Sequence, residues 1–100
     1  MKTKASISHD EAMIKQLRAS PEFAVEYLKA ALEDAEEPHA LLTALRRIAM
    51  ASGGIAKVAE AAGIERESLY RALSPRGNPR LSTLMAVTKA IGMKLTVEAV

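Results

Sequence analysis

Two arginines, Arg66 and Arg71, are the side chains of this sequence best suited to bind nucleic acid. A guanidinium group donates paired hydrogen bonds to guanine O6 and N7 or to phosphate oxygens. Between the two arginines, the Ser68 hydroxyl could bond a base or a phosphate, and the Glu67 carboxylate could accept from cytosine N4. A second interpretation treats these residues as an ordinary charged solvent face. Because these side chains lie on the second helix of a predicted helix-turn-helix, contact with DNA is favoured, most strongly for the two arginines.

The surrounding residues predict a helix-turn-helix over residues 55–74, IAKVAEAAGIERESLYRALS. Ala59 is a small residue midway along the first helix, where the second helix can cross closely. Gly63 lies in the turn and allows a positive φ, and Leu69 is an apolar anchor inside the second helix. The polar side of the second helix, the recognition helix, then faces outward and fits the major groove of DNA.

Three further features flank the predicted motif. Gly53-Gly54 leave the N–H groups at the start of the first helix free to hold a phosphate, with Lys57 beside them. A flexible connector with a solvated lysine is an equal alternative. Tyr70 is expected to pack the recognition helix against the rest of the protein, and contact with DNA is the less favoured alternative. The loop at residues 74–80, SPRGNPR, offers three candidate contacts to the sugar-phosphate backbone: Arg76, Asn78 and Arg80.

The sequence lacks the patterns of catalytic and metal sites. It has no cysteine, and its two histidines, His9 and His39, lie 30 residues apart without a metal-ligand spacing. The carboxylates of residues 34–37 are interpreted as a solvated helix end. We therefore expect no enzymatic activity, no metal ion and no cofactor. A chain without cysteine or a long apolar run is expected in the reducing cytoplasm.

Composition and charge bound the fold and the class of partner. The 100 residues are predicted to form one domain, and 49% of them are hydrophobic. Only three are aromatic, so the core must be aliphatic, which favours packed helices over a large sheet. Residues 1–37 carry five Lys/Arg and eight Asp/Glu, a net charge of −3, whereas residues 38–100 carry nine and four, a net charge of +5. The basic part contains the predicted motif, and the acidic part could face a basic protein or be plain solvated surface.

Capping signals predict further helices on both sides of the motif. An N-terminal helical extension over residues 8–36 begins with a capping box at Ser8 and restarts at Ser20, which precedes a proline. Pro38 opens a third helix, and residues 81–91 form the last one. The fold class is therefore all-α, a helical bundle around a helix-turn-helix.

The tail at residues 93–99 alternates apolar and polar residues, which predicts a short strand. Because a single strand is not stable alone, it must pair with another chain or pack on the domain, and it is a candidate dimer element. The residues expected to point inward from the helices are Met13, Ile14, Leu17, Val25, Leu28, Leu32, Ala35, Leu41, Leu42, Leu45, Ile48, Ala49, Leu84, Val87 and Ile91, with Met50, Met85 and Met93 filling gaps.

The order of the helices resembles the phage-repressor type of DNA-binding domain. Particular words of the sequence are more closely similar to the HigA-related helix-turn-helix antitoxins, the probable addiction module antidote proteins. The similarity runs from about Ala24 to Val97. Its strongest words are LYRALS at residues 69–74, GNP at residues 77–79, and Thr83-Leu84.

This resemblance implies a repressor-like fold and a homodimer that binds operator DNA and represses its own operon. Two recognition helices related by a two-fold axis would read an inverted repeat in double-stranded DNA. The resemblance also implies a small toxin partner of the RelE/HigB/ParE superfamily. No apolar run approaches the roughly 20 residues needed to cross a bilayer, so no membrane partner is expected. A stand-alone repressor would carry the same DNA-binding residues. A helical protein-interaction module that has lost DNA binding is a third alternative, against which the basic recognition face argues.

Overall fold

Six α-helices make up the regular structure of the computed structural model. It describes the backbone of residues 2–34 and 36–100 and the side chains of residues 9–34 and 36–100. The all-α prediction is confirmed, and the radius of gyration of 13.5 Å is that of a compact chain of about 100 residues. In chain order the helices are α1 (Lys2–Ala19), α2 (Pro21–Glu33), α3 (Pro38–Ala51), α4 (Ile55–Ala62), α5 (Arg66–Ala72) and α6 (Leu81–Ala90).

Local sequence signals located the starts of α2 and α3. The Ser20 hydroxyl oxygen accepts a hydrogen bond from the Phe23 N–H at 3.1 Å, and Pro21 is the first residue of α2. This is the N-cap geometry that the sequence predicts, in which the side chain satisfies a free N–H of the first turn. Pro38 is likewise the first residue of α3.

The first helix differs from its prediction. It begins at Lys2, so Ser8 and Glu11 lie within α1 rather than at its start. The Ser8 side chain itself lies outside the described residues, as does Ala35. A capping box is a local signal, and it does not stop helix from forming on its N-terminal side.

The helices form two groups, α1–α3 and α4–α6, which meet where α3 contacts α4. Within the first group α3 packs against α1 and α2, and within the second α4 packs against α5 and α6. One aliphatic core runs through both groups, as the composition predicts. Its buried hydrophobic members are Leu17, Ala24, Leu28, Leu42, Ala44, Leu45, Ile48, Ala49, Val58, Ala59, Leu69, Leu73 and Val87. No helix of the described residues is long and apolar enough to cross a membrane.

Four residues predicted to lie in the core are exposed instead. They are Val25 and Leu32 on α2, Met50 on α3 and Met85 on α6. Each helix buries only the face that meets its neighbours. Val25 follows buried Ala24 by one residue, which turns its side chain about 100° away from the buried face.

The predicted strand at residues 93–99 is not found, and residues 93–100, here termed the C-terminal tail, form no regular element. Among the described residues, the last backbone hydrogen bond runs from the Met93 N–H to the Thr88 carbonyl oxygen at 2.9 Å. A strand needs a neighbouring strand for its hydrogen bonds, and the described residues of one chain, whose regular elements are all helices, provide none.

One guanidinium group links the three helices of the first group. Arg47 on α3 donates from Nε to Asp10 Oδ1 on α1 at 2.9 Å, and from Nη1 to the Tyr27 hydroxyl on α2 at 2.9 Å. The hydrogen bond with Tyr27 and, to a smaller extent, the one with Asp10 raise the pKa of Arg47 against the effect of its partial burial. The Tyr27 ring also stacks on Phe23, with ring centroids 6.1 Å apart. These contacts hold α1 and α2 on α3.

Candidate nucleic-acid interface

A tight left-handed turn at Gly63 joins α4 to α5. Its backbone angles are φ 70° and ψ 31°, and its N–H donates to the carbonyl oxygens of Ala59 and Glu60. The next N–H, that of Ile64, donates to the Ala59 carbonyl oxygen at 2.9 Å. These bonds satisfy carbonyl groups that the end of α4 would otherwise leave without partners. The turn therefore ends α4 and redirects the chain into α5 within three residues.

Two buried side chains fix the crossing of α4 and α5. Ala59 on α4 and Leu69 on α5 are both fully enclosed in the core, next to Val58 and Leu73. A small side chain at residue 59 permits the close approach of the helices, and Leu69 fills the space between α5 and the body. With its inner face anchored in this way, α5 presents four side chains to solvent: Arg66, Glu67, Tyr70 and Arg71.

The far end of α5 is held by contacts that the sequence did not reveal. Arg46 on α3 donates from Nη1 to the carbonyl oxygen of Leu73, the C-cap residue of α5, at 2.6 Å. The Ser74 hydroxyl donates to the Arg71 carbonyl oxygen at 2.7 Å. Both bonds use carbonyl groups at the negative end of the helix, where a positive charge is favourable. Arg46 thus links α5 to the first group of helices.

Gly77 closes the loop over the same end of α5. Its N–H donates to the Ser74 carbonyl oxygen at 2.8 Å. A Cβ atom on Gly77 would collide with the backbone carbonyl of Ala72, so only glycine allows the loop to lie this close. The loop at residues 74–80 is consequently packed on the end of α5.

Three of the predicted DNA-binding residues, Arg66, Glu67 and Arg71, line one open groove between α4 and α5. The groove has a volume of about 480 Å³, and Ile55, Ala56 and Tyr70 complete its lining. All three predicted side chains are exposed. Within the described part of the chain, neither arginine makes an ion pair or a side-chain hydrogen bond with another side chain. Both guanidinium groups are accordingly available to an outside acceptor.

Tyr70 also lies in this groove, which corrects the prediction that it packs α5 against the body. Its side chain is 62% exposed. The neighbouring Leu69 takes the buried position, and a step of one residue along a helix rotates the side chain by about 100°. Which of two adjacent side chains is buried depends on where the other helices lie relative to α5, and the sequence alone does not give that position.

The other predicted contacts surround the groove without lining it. Lys57 is exposed, and its aliphatic chain lies against Gly53, which adopts a φ of 106°. Ser68 is half-buried on α5. Three exposed side chains follow α5 in the packed loop or at the start of α6: Arg76, Asn78 and Arg80. Residues 65–80 carry four arginines and two glutamates, a net charge of +2, so this face is locally positive.

The described residues contain no group of three or more histidine, aspartate or glutamate side chains that could hold a metal ion. The groove instead presents the guanidinium donors of Arg66 and Arg71 on α5. These groups are suited to hydrogen bonds with the acceptor atoms of a ligand.

Comparison with known proteins places this arrangement in a family. Residues 9–99 match the family model described as "Probable addiction module antidote protein". The chain belongs to the probable addiction module antidote protein family. The resemblance noted in the sequence is confirmed, and membership of an antidote family implies a cognate toxin as partner.

A relative from Haemophilus influenzae (strain ATCC 51907 / DSM 11121 / KW20 / Rd) is 40% identical over 72 residues, which cover 72% of this chain and 72% of that protein. That protein is described only as an uncharacterized protein. No solved structure matches the chain. Membership of the family is therefore shown by sequence similarity.

Proposed function

We propose that this antidote is a sequence-specific DNA-binding protein that represses its own operon and neutralises the toxin encoded with it. The observation that carries the proposal is the exposed pair Arg66 and Arg71 in the groove of α5. Their helix is fixed at its start by the Gly63 turn and at its end by Arg46. A helix held in this way presents side chains in a defined direction, which base recognition requires.

In the proposed complex, α5 enters the major groove, and each guanidinium donates to a guanine edge or a neighbouring phosphate. Glu67 either accepts from cytosine N4 or orients an arginine, and Ser68 bonds a phosphate or a base. Lys57 and the exposed residues of the loop contact the sugar-phosphate backbone and set the register of the protein on DNA. Two copies place two such helices about 34 Å apart on an inverted repeat.

The toxin half of the proposal rests on family membership. An antidote acts by binding its toxin, and the similarity of the sequence to HigA-related antitoxins points to a small toxin of the RelE/HigB/ParE type. The acidic surface of the first 37 residues, with a net charge of −3, lies on the helix group that does not carry the groove. That separation leaves a surface for the toxin while DNA occupies α5.

Replacing Arg71 by alanine tests the DNA-binding half. We expect Arg71→Ala to weaken binding to duplex DNA from upstream of its own operon by about tenfold or more, because a bidentate base contact contributes about 1–3 kcal/mol. Fluorescence anisotropy titration at several salt concentrations gives the affinity and the salt slope, and circular dichroism checks the fold. Leu69 and the core are untouched, so helix content is expected to be unchanged.

Arg18→Ala is the matched control. It removes the same charge from an exposed position on α1, which packs only against α2 and α3 among the described helices. Affinity lost equally in both variants would mean that only overall charge is sensed. Unchanged affinity of Arg71→Ala would contradict the assignment of α5 as the recognition helix.

Co-purification tests the toxin half. The neighbouring gene product is expressed with a tagged copy of this chain, and a stable complex is expected. If the two proteins form no complex at micromolar concentration, the result would favour the alternative of a stand-alone repressor.

A further inference from the structure

The C-terminal tail has apolar residues at alternate positions, and only the first of them pack against the helices. Met93 is half-buried and packs on the core, and Leu95, two residues later, lines a cleft between α2, α3 and α6. Val97 is 96% exposed and Val100 is also exposed. The odd-numbered side chains thus face the body up to Leu95, and Val97 has nothing to cover it in one chain.

We propose that the tails of two copies pair as antiparallel strands about a two-fold axis at Thr96. The segment KLTVE at residues 94–98 is complementary to itself in this register. Lys94 lies opposite Glu98 of the second copy, Leu95 opposite Val97, and Thr96 opposite itself. Opposite charges and apolar pairs at directly facing positions stabilise an antiparallel ladder, and each contact occurs twice across the axis.

The two paired tails would form a ribbon with one apolar face and one polar face. Leu95 and Val97 point to one face, and Lys94, Thr96 and Glu98 point to the other, because side chains alternate along a strand. A two-stranded ribbon is only marginally stable alone. The apolar face gains its support from the cleft that Leu95 already lines, at whose edge Leu32 is 46% exposed.

A second copy of this chain is favoured as the partner of the tail, because residues 94–98 are complementary to themselves in the antiparallel register. The unpaired N–H and C=O groups of residues 94–100 also find partners in this way, and none of them has a backbone partner among the described residues. The inference rests on the homodimer of the proposed function and specifies its contact surface.

A disulfide test reads the register directly, since the chain has no cysteine. In Thr96→Cys the two introduced thiols face each other across the axis at a Cα separation of about 4.5–5.5 Å, which suits a disulfide. We expect mild oxidation to convert most of this full-length variant to a covalent dimer on a non-reducing gel. In the matched variant Glu98→Cys the thiols are offset by about 13 Å along the strands and are expected to stay largely unlinked.

Charge reversal gives an independent measurement. Lys94→Glu sets like charges opposite each other at two places, and we expect it to raise the dimer dissociation constant about tenfold. The double variant Lys94→Glu, Glu98→Lys exchanges the partners and is expected to restore wild-type association in sedimentation equilibrium. Restoration supports the register, and a further loss overturns it.

The two proposals fail in different ways. A wild-type dimer in which Thr96→Cys and Glu98→Cys link equally poorly overturns the pairing of the tails but leaves the homodimer. A wild-type monomer at all concentrations overturns both the pairing and the dimer. Loss of DNA binding alone, with the Thr96→Cys crosslink intact, contradicts the DNA-binding function and not the tail contact.

Discussion

The two ends of α5 both depend on a glycine, but for different physical reasons. At the start, Gly63 has a left-handed backbone, and a Cβ atom placed on it would meet nothing within 4 Å. At the end, Gly77 is not left-handed, and a Cβ atom there would collide with the backbone of α5 itself. The first glycine supplies a dihedral angle and the second supplies space. A short helix such as α5 can therefore be fixed by backbone conformation at one end and by packing at the other.

The largest effect that separates the two ends is expected for Gly77→Ala. The added methyl group meets the Ala72 carbonyl, which cannot move without distorting α5, so we expect the free energy of unfolding to fall by about 3 kcal/mol. Urea denaturation followed by circular dichroism measures the change. Gly77→Asn is expected to be no better than alanine, because any Cβ atom makes the same collision. A neutral Gly77→Ala would show that the loop does not lie on α5.

A somewhat smaller loss, about 2 kcal/mol, is expected for Arg46→Met at the same end. The methionine keeps much of the aliphatic packing but removes the charged donor to the Leu73 carbonyl oxygen. Hydrogen exchange of the α5 amide groups distinguishes this role from general destabilisation, since protection should fall more in α5 than in α2. Equal loss of protection in both helices would contradict a specific role at α5.

The smallest of these effects, about 1 kcal/mol, is expected for Gly63→Ala at the start of α5. Space is open there, so the cost is only that of holding an L-residue in the left-handed region. Asparagine tolerates this conformation better, and Gly63→Asn is expected to recover part of the loss in the same denaturation measurement. A loss in Gly63→Ala as large as in Gly77→Ala would remove the distinction between the two ends.

The sequence predicted those features that depend on neighbouring residues. Ser20 followed by Pro21 gave the start of α2, and Pro38 gave the start of α3, because capping and proline geometry act within one turn. Gly63 was assigned to the turn for the same reason. The predicted start of α1 was wrong, because the helix begins at Lys2 and runs through the local signal at Ser8.

Features that depend on distant residues were not predictable in this way. Arg46 reads in sequence as a surface arginine, and its acceptor is a backbone carbonyl 27 residues away, which no residue type identifies. Tyr70 was predicted to pack against the body, but Leu69 occupies the buried position on α5 and the Tyr70 ring is exposed. The strand predicted from the alternation in the tail was wrong, because alternation in sequence cannot supply the neighbouring strand whose backbone groups a strand must bond.

The placement of the tyrosines has an optical consequence. The chain has two tyrosines and no tryptophan, so its ultraviolet emission comes from one ring in each group of helices. Tyr27 is hydrogen-bonded to Arg47 in the first group, and Tyr70 stands in the open groove of the second. A quencher dissolved in the buffer should therefore extinguish one emitter well before the other, and the chain carries its own pair of spectroscopic labels, one for the scaffold and one for the groove.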